Sequence, residues 1–294
     1  MEPDKKVAFL FPGNDADYRE AFKRLKEEEI FIGHLKKIEK GNPGIASQEL
    51  ETQIMIYTIC CSICDIYKRQ NIFPALVSGH SLGIYSCLYA AGAYSFKTGL
   101  SILKKAFSLI REFYDERGQR FGMGTVIGFT EEEVQSLLFK EIEGFLEIAC
   151  FNGERSLVIV GEEKALRECL ERAEKLGAFR TILFNAELGY HTSFIKGVEE
   201  RFRPFLNNCR ILEPEYKILS PLDTGLVGYE SIINELARNL YSSVRWASLI
   251  DALVNKHGIR ESYEVGPGES LARMAKYINR RFKVYTFKNY SQDF

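Results

Sequence analysis

Histidine, tryptophan, proline and excess charge are all scarce in this chain. Only four histidines occur in 294 residues, so any reaction that needs an imidazole has four positions to draw on. The 39 basic and 40 acidic residues nearly cancel, leaving a formal charge of −1. That balance provides no electrostatic footprint for nucleic acid or an anionic membrane. No apolar run approaches the roughly 20 residues of a membrane span. The opening Met1-Glu2-Pro3-Asp4-Lys5-Lys6 is too short and too charged for a secretory signal. The seven cysteines are an odd number, and the expectation is a cytoplasmic, reducing location without disulfides. Cys61 and Cys64 have C-x-x-C spacing, but no second Cys or His pair lies near them. They read as packing in a buried helix, and no metal site is expected.

What the chain does have is Gly79-His80-Ser81-Leu82-Gly83, the G-x-S-x-G form of a nucleophile elbow. Residues 73–77, just before it, are short and apolar and read as a strand. Residues 85–91, just after it, read as a helix stopped by Gly92. Strand, sharp turn and helix are the context the motif needs. Its glycines permit a tight backbone, and the helix N-terminus aims N–H groups at charge developing near Ser81.

Strands and helices alternate along the chain. Residues 7–11 form a strand, and the charged stretch 18–40 reads as exposed helix, broken at Asn42-Pro43-Gly44. A buried helix is expected over 54–68. Ser95 caps a long helix over about 97–116, with Leu100, Leu103, Phe107 and Ile110 at helical spacing. Residues 118–124 read as a flexible connection. Then follow a strand (125–129), a helix (131–139), a hairpin around Asn152-Gly153, a helix (162–175) and a strand (181–184). That order is the split ferredoxin-like unit. The fold expected is therefore α/β. An α/β-hydrolase-like body (1–121 and 189–294) carries an inserted ferredoxin-like domain (122–188).

A serine needs a base to become a useful nucleophile. His34 lies among Glu and Lys and reads as solvated. His80 directly precedes Ser81, so its side chain leaves the elbow in another direction. His191, in Tyr190-His191-Thr192, and His257, in Lys256-His257-Gly258, both remain candidates. Hydrolases of this type place their histidine late in the chain, as His257 is.

The chain resembles the malonyl-CoA:acyl carrier protein transacylases, acyltransferases of fatty-acid and polyketide biosynthesis. The resemblance covers nearly all of it. It rests on Phe11-Pro12-Gly13, the Ser81 pentapeptide, residues 90–96, Val244-Arg245-Trp246 and Glu264-Val265-Gly266-Pro267-Gly268, in that order and spacing. It implies a Ser81–His191 dyad, with the histidine oriented by the backbone carbonyl of Asn239. It also implies an oxyanion hole made by the N–H groups of Leu82 and Asn14. By the same resemblance, no cofactor is bound. The phosphopantetheine of CoA or of an acyl carrier protein serves as the substrate arm. The partners are an acyl carrier protein and an acyl-CoA or acyl-carrier donor.

Three departures stand out. Asn14-Asp15-Ala16-Asp17 replaces the family's Q-G-S-Q, and Ile84 replaces an acidic residue. Relatives that take malonyl groups carry an arginine in the long helix to pair with the free carboxylate, and ungapped counting from Ser81 places Ala106 there. Arg111 is five residues further on, about 140° round the helix at 100° per residue. A buried carboxylate without a partner is strongly penalised. Ala106 and Tyr190 are thus expected to line a pocket for an uncarboxylated acyl group. The alternatives are an editing thioesterase acting on acyl carrier protein or acyl-CoA, and a carrier-binding protein with impaired catalysis.

Overall fold

The computed structural model describes residues 6–14, 16–38 and 47–289. In chain order these form β1 (Val7–Phe11), α1 (Arg19–Leu25), α2 (Glu29–Leu35), α3 (Gln48–Arg69), β2 (Leu76–Gly79), α4 (Gly83–Ala90) and α5 (Phe96–Arg117). Next come β3 (Phe121–Ile127), α6 (Glu131–Glu133), β4 (Leu146–Gly153), β5 (Ser156–Glu162), α7 (Glu163–Lys175), β6 (Arg180–Leu183) and α8 (Val198–Asn207). The chain closes with β7 (Lys217–Leu219), β8 (Leu226–Val227), α9 (Ile232–Tyr241), α10 (Trp246–Asn255), β9 (Glu261–Glu264), α11 (Ser270–Ile278) and β10 (Lys283–Thr286). None of these helices is long and apolar enough to cross a membrane.

Two compact units result. The first comprises residues 1–104, 207–232 and 249–294, and the second 105–206 and 233–248. The first is built on a six-stranded sheet in the order β10-β9-β1-β2-β7-β8, parallel except for the β7–β8 pair. Its central strand β1 reads as an unbroken apolar run because a parallel sheet is covered on both faces. Ala8, Phe9, Leu10 and Phe11 are all fully buried. Helix α3 starts six residues earlier than its apolar stretch suggests, because Ser47 caps it by accepting from the Leu50 N–H at 3.2 Å. Strand β2 starts after Pro74, which has no N–H to give a ladder.

The second unit contains a four-stranded antiparallel sheet in the order β4-β5-β3-β6, which is the ferredoxin-like order. Helix α7 covers it over a core of Val126, Ile148, Leu157, Ile159, Leu166 and Leu170. The unit is larger than the 122–188 segment, since it also takes in most of α5, α8 and α9.

Several local expectations fail for physical reasons. Residues 121–124 are not a flexible connection but the first half of β3, fully paired with β5. Gly122 and Gly124 are packing residues. A Cβ on Gly122 would lie 2.9 Å from Leu166 Cδ2, and one on Gly124 3.0 Å from Leu170 Cδ1, both on α7. The expected helix at 131–139 is a single capped turn that widens into a π-turn over Val134–Leu138. Asn152 and Gly153 lie in β4, and the hairpin turns at Glu154-Arg155. The stretch from 18 is two short helices. The Asn42-Pro43-Gly44 break lies outside the described residues. The thiols of Cys60, Cys61 and Cys64 are fully buried in α3, and burial pushes that of Cys64 up to about 12.

His34 is not solvated but 3% exposed. Its ring stacks on Phe96 at 4.4 Å, and Nδ1–H donates to Ser62 Oγ at 2.9 Å, because that hydroxyl spends its own proton on the Thr58 carbonyl. Asp65 Oδ2 lies 3.5 Å from Nε2 and accepts from the Tyr89 hydroxyl. Burial, reinforced by the Lys37 charge, holds His34 down to about 4. The neutral ring is thus favoured by folding, and the unfolded chain binds this proton first. The linked stability is fully present above pH 6.5 and is lost as pH falls toward 4, about 3 kcal/mol in all. Burial raises the Asp65 carboxyl, which works in the opposite direction at the acid end. Urea unfolding between pH 7 and 4.5 should therefore show a falling midpoint, with a visibly flatter slope in His34→Gln. Equal slopes would show that this site does not set the acid sensitivity.

Candidate active site

The elbow lies at the carboxyl edge of the parallel sheet. Phe11 and Gly79 are register partners on β1 and β2, and the His80 N–H donates to the Phe11 carbonyl at 2.9 Å. The chain leaves β2 through Ser81, at φ +53°, and α4 begins two residues later. A positive φ is costly for a residue with a Cβ, and such strain collects at functional positions. Both flanking glycines are forced by contact. A Cβ on Gly79 would lie 2.2 Å from the Gly83 carbonyl carbon, and one on Gly83 2.1 Å from the Phe11 carbonyl oxygen. The G-x-S-x-G pattern is therefore the steric condition for seating α4 directly on β1 and β2.

Helix α4 has no side-chain N-cap and no acidic residue in its first turn. Ile84, in place of the usual acid, leaves the positive end of the helix without a covalently attached counter-charge. Leu82 is the backbone N-cap residue and is buried. Asn14 follows the end of β1 at the same sheet edge. Its side-chain amide donates to Glu49 on α3 at 3.4 Å, which ties the side chain down. Ser81, Leu82 and Asn14 thus share one edge of one unit.

His257 does not belong to that edge. Strands β1, β2 and β9 run parallel, with Val7 opposite Glu261 and Phe11 opposite Gly79. Ser81 follows the end of β2, whereas His257 precedes the start of β9. The length of β1, about 13 Å at 3.3 Å per residue, separates the two ends. Parallel topology therefore removes His257 as a partner of Ser81, a choice that spacing in the chain left open.

In the second unit, His191 is 2% exposed and also has a positive φ, +57°. Its backbone N–H donates to the Leu240 carbonyl at 2.9 Å. Its Nδ1 lies 3.1 Å from the Ser242 carbonyl oxygen, which can only accept, so Nδ1 carries the hydrogen. In the neutral ring Nε2 is then the unprotonated, basic nitrogen. The orienting carbonyl belongs to Ser242, not to the expected Asn239. Asn239 lies one turn back inside α9, and its amide oxygen is buried without a partner. Ser242 stands beyond the end of that helix, where a carbonyl is no longer needed by the helical ladder. Tyr190 is half-buried beside His191.

Ala106 is 3% exposed on α5, on the face that also buries Ile110 and Phe113. Arg111 is turned away, as the helical angle predicts. Its guanidinium lies 5.0 Å from the centre of the Phe107 ring and is ion-paired with Glu187. That pair borders a groove of about 670 Å³ with three arginines and three acids, which includes none of the expected site residues. Among the described residues, no group of His, Cys, Asp and Glu could hold a metal ion.

The family model described as "Acyl transferase domain" matches residues 38–267. The chain belongs to the acyl transferase domain family. It is 27% identical over 295 residues to a malonyl CoA-acyl carrier protein transacylase of Bacillus subtilis, covering 95% of this chain and 92% of the relative. A polyketide-biosynthesis malonyl CoA-acyl carrier protein transacylase of B. subtilis is also 27% identical, with 93% and 97% covered. Among solved structures, the malonyl CoA-acyl carrier protein transacylase of Coxiella burnetii superimposes with a TM-score of 0.84 at 22% identity, over 96% of this chain and 93% of that one. A malonyl-transacylase in complex with a type II polyketide-synthase acyl carrier protein gives 0.81 at 21% identity, covering 97% of each chain. The acyl transferase fold is shared across these proteins, and the chain is an acyltransferase.

Two residues around His191 escaped the sequence reading. Ser242 meets the ring through its backbone, which no residue type signals. Glu147, whose carboxylate accepts from Thr192 Oγ1 at 2.7 Å, sits in Leu146-Glu147-Ile148, where nothing in the residue type marks it. Strain at Ser81 has a measurable consequence. Glycine tolerates φ +53° and alanine does not, so Ser81→Gly should be about 1 kcal/mol more stable than Ser81→Ala. Chemical unfolding of the two variants measures the difference, and equal stabilities would refute a strained elbow.

Proposed function

We propose that this acyltransferase moves an acyl group from a CoA thioester to the phosphopantetheine thiol of an acyl carrier protein, through an ester on Ser81. The acyl group is uncarboxylated. The observation that carries the reading is Ser81 itself, held at positive φ at the mouth of an uncapped helix in an acyl transferase domain.

In the proposed dyad, His191 Nε2 takes the Ser81 proton while Oγ attacks the thioester carbon. The Ser242 carbonyl holds the Nδ1–H and supports the imidazolium that forms. The N–H groups of Leu82 and Asn14 receive the oxyanion, a contribution of about 3–4 kcal/mol per donor in comparable sites. The carbon–sulfur bond breaks, and His191 returns its proton to the departing CoA thiolate. In the second half, His191 deprotonates the carrier thiol, whose sulfur attacks the seryl ester. Ser81 leaves with its proton restored. No bound cofactor enters these steps, because the phosphopantetheine arm comes with the substrates. The curated relatives named above are transacylases for malonyl CoA and acyl carrier protein, which supports this pair of partners.

Ala106 supports the uncarboxylated choice. A malonyl carboxylate brought to this buried position would need a cation, and Arg111 on the same helix is committed to Glu187. The test is intact mass spectrometry and rate measurement with malonyl-, acetyl-, butyryl- and longer acyl-CoAs, with holo acyl carrier protein as acceptor. Adducts should map to Ser81, and uncarboxylated donors should exceed malonyl-CoA in kcat/KM by about tenfold or more, the scale of one charge-assisted pair. Malonyl preference would overturn the specificity. Release of free acid without transfer would make the protein a thioesterase.

The base assignment has its own test. His191→Ala should slow acylation by about 10²–10⁴-fold, whereas His257→Ala should leave most of the activity. The reverse pattern would refute the proposed dyad.

A further inference from the structure

We infer that Glu147 is a positioning residue for the catalytic histidine, an inference that rests on the reading of His191 as the base. Its carboxylate, on β4, meets the chain immediately after His191. One oxygen, Oε2, accepts from Thr192 Oγ1 at 2.7 Å, from the Ser193 N–H at 2.7 Å and from Ser193 Oγ at 3.1 Å. Thr192 is fully buried, and its own hydroxyl oxygen caps the following 3-10 turn by accepting from the Phe194 N–H at 3.2 Å. Residues 192–194 are thus pinned to β4 through a single carboxylate.

The same strand also holds the carbonyl on the other side of the imidazole. Ser243 Oγ donates to the Ile148 carbonyl at 2.9 Å, the Val244 N–H to the Ala149 carbonyl at 2.9 Å, and the Phe151 N–H to the Val244 carbonyl at 2.8 Å. A β-bulge between Ile148 and Cys150 makes this possible. Ala149 is the extra residue opposite β5, and its carbonyl is turned to Val244. Strand β4 therefore holds Ser243 and Val244, directly after Ser242, through its backbone, and the residues after His191 through Glu147. Both ends of the Nδ1–H···O contact are referred to one rigid element.

This arrangement matters because His191 is strained. A non-glycine residue at φ +57° persists only where its surroundings over-determine it. The Leu240 carbonyl holds it on one side, and the Tyr114 hydroxyl holds the chain before it by donating to the Gly189 carbonyl at 3.1 Å. Glu147 supplies the constraint on the downstream side. Without it, residues 192–193 lose three hydrogen bonds at once, and His191 can relax and swing its ring off the Ser242 carbonyl.

The experiment compares wild type, Glu147→Ala and Glu147→Gln. Acetyl-CoA is the donor probe for pre-steady-state acylation. The Nδ1–H resonance of His191, assigned by its loss in His191→Gln, is followed by NMR without any donor. In Glu147→Ala, the acylation rate should fall about tenfold to a hundredfold at nearly constant KM, the scale of a sub-ångström misplacement. The resonance should broaden or disappear. Glu147→Gln keeps a carbonyl acceptor and should recover most of both signals. Wild-type kinetics in Glu147→Ala, or a fall in rate with the resonance intact, would overturn the inference. Should Glu147→Ala not fold, Thr192→Val removes one of the three donors and must move rate and resonance in the same direction; no movement in either overturns it. An active His191→Gln would instead refute the base reading, while the resonance still judges whether Glu147 positions the ring.

Discussion

The contact between α4 and strands β1 and β2 is the constraint on which the proposed nucleophile, Ser81, depends. A helix that begins two residues after Ser81 must press its first turn against β1 and β2, where there is no room for a Cβ at Gly79 or Gly83. The approach has two chemical results. It goes with a left-handed backbone at Ser81, φ +53°. It also keeps the first N–H groups of α4 at the strand edge, where the proposed oxyanion forms. Strain and electrostatics thus come from one packing event. The fully buried parallel core around Phe9, Leu10 and Phe11 stabilises that event.

The histidine is organised by a different device. Its unit has no glycine-lined elbow. A bulged antiparallel strand offers backbone groups to residues 243–244 and a carboxylate to residues 192–193. Two positive-φ residues, Ser81 and His191, therefore carry the proposed chemistry, each held by its own unit. Their strain is offset by ordinary interactions around them: parallel-sheet packing for one, and a dense set of hydrogen bonds and stacked rings for the other. Phe194, three residues after His191, stacks on Phe121 at 4.4 Å and on Tyr114 at 5.9 Å, which anchors the far end of the loop.

Buried charge supplies the logic of the proposed substrate choice. The acyl transferase domain is a scaffold, and the reaction it favours depends on a few side chains near the acyl end. At Ala106 this chain offers a small apolar surface, and the next arginine along α5 is neutralised by Glu187. A carboxylate that loses its hydration needs a partner of opposite charge, whereas a methyl group or an alkyl chain does not.

Much of this was legible in the residues. The elbow glycines, the apolar runs of β1 and β2, the Ser95 cap of α5 and the β-α-β-β-α-β order all follow from local chemistry, because each depends on neighbours in the chain. Ala106 was singled out by the resemblance, and helical periodicity gave only the angle between it and Arg111. What the residues could not determine lies in contacts between distant segments. Spacing in the chain left His257 open, the resemblance favoured His191, and parallel pairing puts His257 at the opposite end of the sheet from Ser81. Burial of His34 came from stacking against Phe96, 62 positions away in the numbering. Gly122 and Gly124 are strand residues because they pair with β5, and glycines because α7 leans on them. Ser242 replaced Asn239 because the end of a helix, and not a residue type, decides which carbonyl is free to accept. The sequence by itself determined which groups could do chemistry. Tertiary structure decided which of them stand together, because hydrogen bonds and steric contacts act through space and not along the chain.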